Sequence, residues 1–240
     1  MKARLLTLLF ALSLSLSAHA QTYTETILHS FFAFASDGSS PGAGVVLDSS
    51  GNLYGTTEDG GASGCGILFE LSSVGVETIL YNFGCAADGG HPQSTLLLDP
   101  SGNLYGTTAQ YGTLGQGVLF KFATSTGIYS VLHQFGATGD GQNPAGTLTQ
   151  KSAVIYGVTG AGGTNGCGTV WKYASGTETV LYSFACAPDG KNPRGGVILD
   201  LAGNLYGTTL IGGANLGGTA FELTAGSGHA KRSAKAVPGK

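Results

Sequence analysis

The seven-residue sequence GNLYGTT occurs three times, beginning at Gly51, Gly102 and Gly203. A degenerate fourth copy, VIYGVTG, lies between the last two. The tyrosines of the four copies, Tyr54, Tyr105, Tyr156 and Tyr206, follow one another at intervals of 51, 51 and 50 residues. A period this constant predicts a repeat architecture, in which each unit buries its apolar faces only against its neighbours.

Each unit contains short apolar stretches rich in β-branched and aromatic residues, bounded by clusters of Gly, Asp, Asn and Pro. This is the pattern of strands and turns, and no window shows sustained helical periodicity. We therefore predict an all-β fold with four strands in each unit. In the first unit these strands are GVVLD, NLYGTT, GILFELS and ETILYNF. The fourth unit has only the first three.

A segment ahead of the first unit resembles the missing strand. Residues 25–31, ETILHSF, match ETILYNF and ETVLYSF, the fourth strands of units one and three. An unpaired strand edge invites association, and a ring of four-stranded blades closes when the N-terminal segment completes the last blade. We therefore predict a four-bladed β-propeller over residues 21–223, closed by this strand. An open stack of repeats would not require the first and last units to complement each other.

The two ends of the chain differ from its repetitive body. Lys2 and Arg4 precede the apolar run LLTLLFALSLSLSA, whose end leads into AHA before Gln21, so residues 1–20 read as a signal peptide cleaved near Ala20. The run is short for a membrane span. We therefore expect a secreted, periplasmic or cell-surface protein. Residues 224–240 are basic and poor in apolar residues, and we expect a disordered tail.

The charge of the body excludes one class of partner. All 14 acidic residues lie between residues 21 and 223, where only five of the 11 basic residues are found. An acidic surface repels the phosphate backbone, so we expect no nucleic-acid binding by the folded part.

The four cysteines come in two pairs. Cys65 precedes the third strand of unit one and Cys85 follows its fourth, and Cys167 and Cys186 hold the same places in unit three. Antiparallel neighbours bring these positions within bridging reach, and an exported protein meets oxidants. We predict disulfides between Cys65 and Cys85 and between Cys167 and Cys186. A zinc site is the disfavoured alternative, because each blade offers only two thiolates and no adjacent histidine.

The repeated motifs read as blade construction. In D-x-x-G-N the aspartate accepts hydrogen bonds from the turn, which predicts a tight hairpin between strands one and two. The glycine after the tyrosine is expected to make room where blades crowd near the axis. A third-strand aromatic column is expected to pack between blades: Phe69, Phe120, Trp171 and Phe221. His29 and His133 share a fourth-strand column with Tyr81 and Tyr182, and we read them as packing residues.

The motif D-x-x-G-N-L-Y-G-T-T, followed by G-x-V-F-K-L and L-Y-x-F, resembles the GloVer-type tandem repeats of exported bacterial proteins. The likeness covers residues 25–223, although unit three departs from it with QKSAVIYGVT. The resemblance implies a β-propeller and extracellular placement, and it implies no established activity. The unit is also similar to NHL-type propeller repeats. Members often carry more than four repeats, so a larger ring of two chains is the alternative to the monomer that we expect.

If the strand order follows this resemblance, the longer loops gather on one face, where we expect function. Each loop between units contains Asp-Gly before a Pro, and we read these aspartates as turn formers rather than calcium ligands. They are Asp37, Asp88, Asp140 and Asp189. No metal or other cofactor is expected. Loop residues that differ between the copies are the candidate ligand-binding residues: His91, Tyr111, Asn143, Lys191 and Arg194.

The sequence contains no catalytic signature such as Gly-x-Ser-x-Gly or His-Glu-x-x-His. We therefore predict an exported, non-catalytic propeller that binds a protein or glycan through its long-loop face, or serves as a scaffold. The alternative is an extracellular polysaccharide hydrolase or lyase that uses Glu58 or Asp59 with His91.

Overall fold

A computed structural model describes residues 23–32 and 37–226. These residues form 20 strands and no helix, so the predicted all-β class is confirmed. None of them accordingly forms a helix that could cross a membrane. The predicted signal peptide and residues 227–240 of the basic tail lie outside the described residues.

The first unit builds one sheet and one small strand pair. Its strands are β1 (Gly38–Ser39), β2 (Val46–Leu47), β3 (Leu53–Thr57), β4 (Asp59–Gly60), β5 (Ile67–Leu71) and β6 (Glu77–Asn82). β2, β3, β5 and β6 form a four-stranded antiparallel sheet in that order, and β1 pairs with β4. The four predicted strands of this unit are therefore all present.

The second and third units repeat this plan with longer strands. The second unit contains β7 (Gly90–Pro92), β8 (Leu97–Leu98), β9 (Asn103–Gln110), β10 (Val118–Ala123) and β11 (Ile128–Gln134). β7 and β8 both pair with β9, followed by β10 and β11. The third unit contains β12 (Gly141–Lys151), β13 (Val154–Gly162), β14 (Thr169–Ala174) and β15 (Thr177–Ser183), paired in chain order.

The fourth unit has three main strands. Its strands are β16 (Gly190–Lys191), β17 (Val197–Leu199), β18 (Leu205–Thr209), β19 (Ile211–Gly212) and β20 (Thr219–Leu223). β17, β18 and β20 form the sheet, and β16 pairs with β19. Within the described residues, β20 has no partner on its second edge.

The hairpin turn between the first two main strands has the predicted hydrogen bonds. Oδ1 of Asp99 accepts from the backbone N–H groups of Ser101 and Asn103, and Oδ2 accepts from Asn103 Nδ2 and the Tyr105 hydroxyl. Asp48 accepts the same four bonds in its unit, and Asp200 accepts those from Asn204 and Tyr206. Unit three has Gln150 at this position, and its strands β12 and β13 instead continue to within two residues of each other.

The glycine of the motif has a different neighbour from the one predicted. Gly106 lies directly across from Phe120 in the β9–β10 pair, and a Cβ on Gly106 would stand 2.5 Å from the ring of Phe120. The crowding therefore comes from the aromatic side chain of the same sheet, which covers the glycine, and not from a neighbouring blade near an axis. The equivalent glycines in the other three units face Phe69, Trp171 and Phe221 in the same way.

Aromatic contacts join consecutive units. The phenylalanine directly after each fourth strand packs on the third-strand aromatic of the next unit, with ring centroids 5.1 to 5.4 Å apart. The pairs are Phe83 with Phe120, Phe135 with Trp171, and Phe184 with Phe221. The predicted contact between units is therefore confirmed, and three core clusters link units one to four in a row.

Closure by residues 25–31 is not observed. The segment forms no strand and does not pair with β20, so the fourth sheet stays three-stranded in the described structure. Phe31 and His29 instead contact Phe69 and Glu77 of unit one. Ile27 is 74% exposed, because no sheet lies beside it. Among the described residues, no core cluster joins the fourth sheet to the first.

Candidate functional site

The longer loops meet in pairs at one end of each unit. The loop between units lies beside the loop that follows the second main strand, through the pairs Gly38 with Gly60, Gly90 with Gln110, Gly141 with Gly162, and Gly190 with Gly212. We call this surface the loop rim. It consists of residues 37–41, 58–66, 88–94, 109–117, 140–144, 160–168, 189–194 and 210–218.

The aspartate of each loop between units orders the loop itself. In Asp140, Oδ1 accepts from the N–H of Gly141 and Oδ2 accepts from the N–H of Gly136. Asp37 and Asp189 use both oxygens in the same way, and Asp88 accepts from Gly84 N–H. These bonds support a turn-forming role for the four aspartates.

The residue before each loop proline has a left-handed backbone. The φ angles are 58° at Ser40, 53° at His91, 53° at Asn143 and 57° at Asn192. Non-glycine residues rarely adopt this conformation. Backbone bonds hold it in place: the N–H groups of His91, Asn143 and Asn192 donate to carbonyls of the preceding unit's second rim loop. The rim therefore displays one side chain per unit from a fixed position.

Tyr111 occupies a second left-handed position, with φ of 62°. The other three units have glycine there, namely Gly60, Gly162 and Gly212, also at positive φ. The Tyr111 ring stacks on the His91 ring, with centroids 5.8 Å apart and planes inclined by 27°. Two of the predicted ligand-binding residues are thus in direct contact.

His91 also contacts an acidic loop. Its Nδ1 lies 3.0 Å from the carbonyl oxygen of Glu58 and 3.2 Å from Oδ1 of Asp59. The carboxylate of Glu58 accepts a hydrogen bond from Gln93. The alternative, enzymatic prediction requires His91 beside a carboxylate of Glu58 or Asp59, and the contact between His91 and Asp59 is of this kind.

The remaining candidates extend along the rim. Nδ2 of Asn143 donates to the carbonyl of Ala109, in the same rim loop as Tyr111. Arg194 donates to the side chain of Asn192, a residue that the sequence analysis missed although it shares the position before proline. Lys191 is exposed in the short strand β16.

Both predicted disulfides are present. Cys65 bonds to Cys85 and Cys167 to Cys186, with Cα atoms 5.6 and 5.4 Å apart. Cys65 and Cys167 are buried residues of the loop rim. The pairing confirms the prediction and excludes these thiols as zinc ligands.

Two further clusters lie where consecutive units meet. Nε2 of His133 is 3.0 Å from Oδ2 of Asp140, and Glu178 completes the group. His29 lies in an equivalent group with Asp37 and Glu77. Both histidines pack edge-on against a phenylalanine, as expected, but their contacts with carboxylates were not foreseen. Within residues 23–32 and 37–226, these six residues form the groups that could hold a metal ion.

Each of these clusters holds two carboxylates in a partly buried position, and this raises the pKa of the glutamate. Burial, together with the charge of Asp140, raises the pKa of Glu178 to about 7, although His133 acts in the opposite direction. Burial likewise raises the pKa of Glu77. At the junction of units one and two, Tyr81 donates to Asp88 instead and stacks on Tyr129 at 3.9 Å, so no second carboxylate is present.

Comparison with known proteins places the chain among repeat proteins. The family model described as Gloeobacter/Verrucomicrobia repeat matches residues 13–221. No protein of curated function matches the sequence. Similar solved structures include the nidogen/laminin complex, with 18% identity and a TM-score of 0.48 over 72% of this chain and 55% of that one. TolB from Acinetobacter baumannii has 12% identity and a TM-score of 0.48 over 74% of this chain and 39% of that one.

Proposed function

Because the chain belongs to the Gloeobacter/Verrucomicrobia repeat family, we propose that it is an exported, non-catalytic module of β-propeller type that binds an extracellular protein or a glycan through its loop rim. Repetition supports this proposal, since each unit supplies the same two rim loops on a rigid sheet. Loops held by a rigid scaffold are where binding residues concentrate.

The observation that carries the proposal is the set of left-handed, non-glycine residues on the rim. Such a conformation costs of the order of 1 to 3 kcal/mol for each residue and persists only where the surrounding structure imposes it. Tyr111 is the most informative case, because three sister units avoid the cost with glycine. A side chain retained at this cost, stacked on His91 and 36% exposed, is well placed to contact a ligand.

The chemistry of the rim suits a ligand with both flat apolar and polar surfaces. The stacked pair of His91 and Tyr111 offers an aromatic face, and Asn143 offers an amide bonded to the loop that carries Tyr111. Arg194 and Lys191 add positive charge further along the rim. A sugar ring stacked on Tyr111, or an aromatic or acidic peptide side chain, fits this combination.

The finer architecture is part of the same proposal. The four sheets act as propeller blades, and the ring is completed when β20 of one chain pairs with residues 25–31 of a second copy. We favour this arrangement over closure by the same chain because the second edge of β20 stays unpaired in the described residues. An unpaired edge is a template for strand addition.

The proposed location follows from redox chemistry. Disulfides persist in oxidising compartments outside the cytosol, and this protein has two. We place the mature chain in the periplasm, at the cell surface or outside the cell, after cleavage near Ala20. Residues 21–223 then form the folded domain and residues 224–240 a basic tail.

The test is a binding screen on a glycan array and on immobilised extracellular polysaccharides and proteins. The double variant His91→Ala/Tyr111→Ala should bind at least tenfold more weakly while its melting temperature stays close to that of the parent. Thr126→Ala, in the exposed turn between β10 and β11, is the matched control and should bind normally. Normal binding by the rim variant, with binding lost in Thr126→Ala, would place the site on the other face.

The second candidate function is polysaccharide hydrolysis or elimination. It is favoured by one contact, the 3.2 Å approach of His91 Nδ1 to Asp59 Oδ1 on an exposed loop. Products released from the polysaccharides bound in the screen, and lost in both His91→Ala and Asp59→Asn, would establish this function. Binding without any product would support the non-catalytic module.

A further inference from the structure

We propose that the two junction clusters, His29–Asp37–Glu77 and His133–Asp140–Glu178, each bind one divalent transition metal ion of the zinc class. In each cluster one imidazole nitrogen and two carboxylate oxygens lie within 4.8 Å of one another. The proposal is independent of the ligand proposed for the loop rim.

The histidine and the glutamate of each cluster occur together, and both are replaced at the junction of units one and two. Where the fourth-strand column has histidine, at His29 and His133, the facing position in the next unit has glutamate. Where that column has Tyr81, the facing residue is Tyr129, and the two rings stack. Packing alone is satisfied by the tyrosine pair. At the other two junctions a histidine and a glutamate stand in place of these two tyrosines. Both replacements bring side chains that can bind a metal ion.

The geometry of the first cluster matches the spacing between ligands of one ion. Nε2 of His29 lies 3.4 Å from Oδ2 of Asp37 and 3.6 Å from Oε2 of Glu77. Ligands about 2.0 to 2.2 Å from a tetrahedral zinc ion stand roughly 3.3 to 3.6 Å apart. Nε2 of His29 is buried and makes no hydrogen bond, so its lone pair or proton is left for a further partner.

Each glutamate carboxylate of the two clusters also has an oxygen that lacks a hydrogen-bond partner. Oε1 of Glu77 and Oε1 of Glu178 are buried without a hydrogen-bond partner. A buried, unpaired polar oxygen is costly, and it is most costly when charged. Each cluster holds two carboxylates against a single imidazole, so a divalent cation supplies the positive charge that the described residues around it lack.

The first carboxylate of each cluster is already oriented. Backbone N–H groups of Phe32 and Gly38 donate to Asp37, and those of Gly136 and Gly141 donate to Asp140. Hydrogen bonds of this kind fix metal ligands from behind. An imidazole with two carboxylates suits zinc, manganese or ferrous ions, whereas calcium prefers oxygen ligands alone. Three protein ligands leave a fourth position for water.

The experiment is equilibrium dialysis of the EDTA-treated full chain against Zn²⁺, with the bound metal counted by mass spectrometry. We expect two ions per chain. His29→Tyr and His133→Tyr, which install the residue that Tyr81 provides at the sister junction, should each lose one ion, and the double variant should lose both. His91→Ala removes a histidine outside both clusters and should keep two.

Thermal unfolding is measured as well, so that the loss of a metal site can be distinguished from the loss of the folded structure. The melting temperature of the parent should rise on adding Zn²⁺, because a ligand that binds only the folded state stabilises it, and that of the double variant should not. Glu77→Gln and Glu178→Gln should each weaken one site at least tenfold. No bound zinc in a folded parent, or two ions retained by the folded double variant, would overturn the proposal.

Discussion

Phe31 packs against Phe69 with ring centroids 5.0 Å apart and planes inclined by 60°. The same contact joins Phe135 to Trp171 at 5.4 Å and 57°, where a fourth strand of one unit meets the third strand of the next. Phe31 therefore stands where the fourth strand of a preceding unit would stand. Residues 25–31 pack one face of their segment on the first sheet. In the described structure their backbone makes no strand pair with β20.

This relationship predicts a specific cross-link. In the β5–β6 pair, Glu70 lies across from Thr78. The equivalent residues at the open ends are Glu222 of β20 and Thr26. We expect a mixture of Thr26→Cys and Glu222→Cys chains to form a disulfide-linked dimer under mild oxidation, since opposed residues of paired strands lie within bridging distance. Non-reducing electrophoresis measures it.

Two controls make this result interpretable. Each single variant alone should give far less dimer, and Thr26→Cys mixed with a chain carrying cysteine in place of Thr126 should give none above background. The four native cysteines are already paired, so they offer no free thiol. An internal bridge in the dilute Thr26→Cys/Glu222→Cys double variant, with no dimer in the mixture, would instead indicate a four-bladed ring closed within one chain.

A second prediction separates the buried part of the repeat from its rim. Phe120 is fully buried and touches both Phe83 and Tyr129. Phe120→Ala should therefore lower the free energy of unfolding by about 3 to 5 kcal/mol. Lys191→Ala, on the exposed rim, should change it by less than about 0.5 kcal/mol. Urea unfolding followed by tryptophan fluorescence compares them, and equal losses would contradict the assigned roles.

The sequence predicted local structure better than it predicted how the ends meet. The strands, the hairpin turns at Asp48, Asp99 and Asp200, and both disulfides follow from residue pattern and spacing within one unit. Closure depends instead on the geometry by which four sheets follow one another, and small rotations between sheets accumulate over the row. The prediction for Gly106 named the wrong neighbour for a similar reason. The alternation of side chains along β9 does not show whether Gly106 faces another blade or the ring of Phe120.

The candidate site was predictable in position and not in conformation. Variation between copies indicated His91, Tyr111 and Asn143. The structure stacks His91 on Tyr111 and bonds Asn143 to the loop that carries Tyr111. The left-handed backbones of His91 and Asn143 were not foreseen, because proline normally disfavours such a conformation in the residue before it. That of Tyr111 was not foreseen because non-glycine residues rarely adopt it. The junction clusters required pairing residues about 45 apart, such as His133 with Glu178, and only the register between units reveals that proximity.

A third prediction concerns acid stability. The backbone N–H of Asn52 is the main cause that holds the pKa of Asp48 below its ordinary value, and the N–H of Asn204 has the same effect on the pKa of Asp200. A carboxyl group with a lowered folded pKa stabilises the fold above its unfolded pKa of about 3.9, and the contribution is lost as the pH falls through the folded value.

We therefore expect the urea midpoint to fall as the pH is lowered from 4 to 2. The variant Asp48→Asn/Asp200→Asn should be less stable than the parent at pH 6 and should lose less of its stability over that acid range. Glu25→Gln, at an exposed carboxylate outside the hairpin turns, is the control and should keep the slope of the parent. A double variant with the parent slope would mean that these turns do not carry the acid sensitivity.

The last prediction tests whether the strain at Tyr111 serves binding. Glycine adopts φ of 62° without the penalty that a side chain carries, as Gly60 and Gly162 do at this position in sister units. Tyr111→Gly should therefore unfold at the same or a higher temperature than the parent, by calorimetry, yet bind the screened glycan or protein at least tenfold more weakly. Gly162→Ala is the reverse control: its Cβ would stand 2.6 Å from the carbonyl oxygen of Asp140, so it should melt earlier. A Tyr111→Gly chain that melts well below the parent would show that the tyrosine is kept for packing on His91, and the rim would lose its main support as the binding surface.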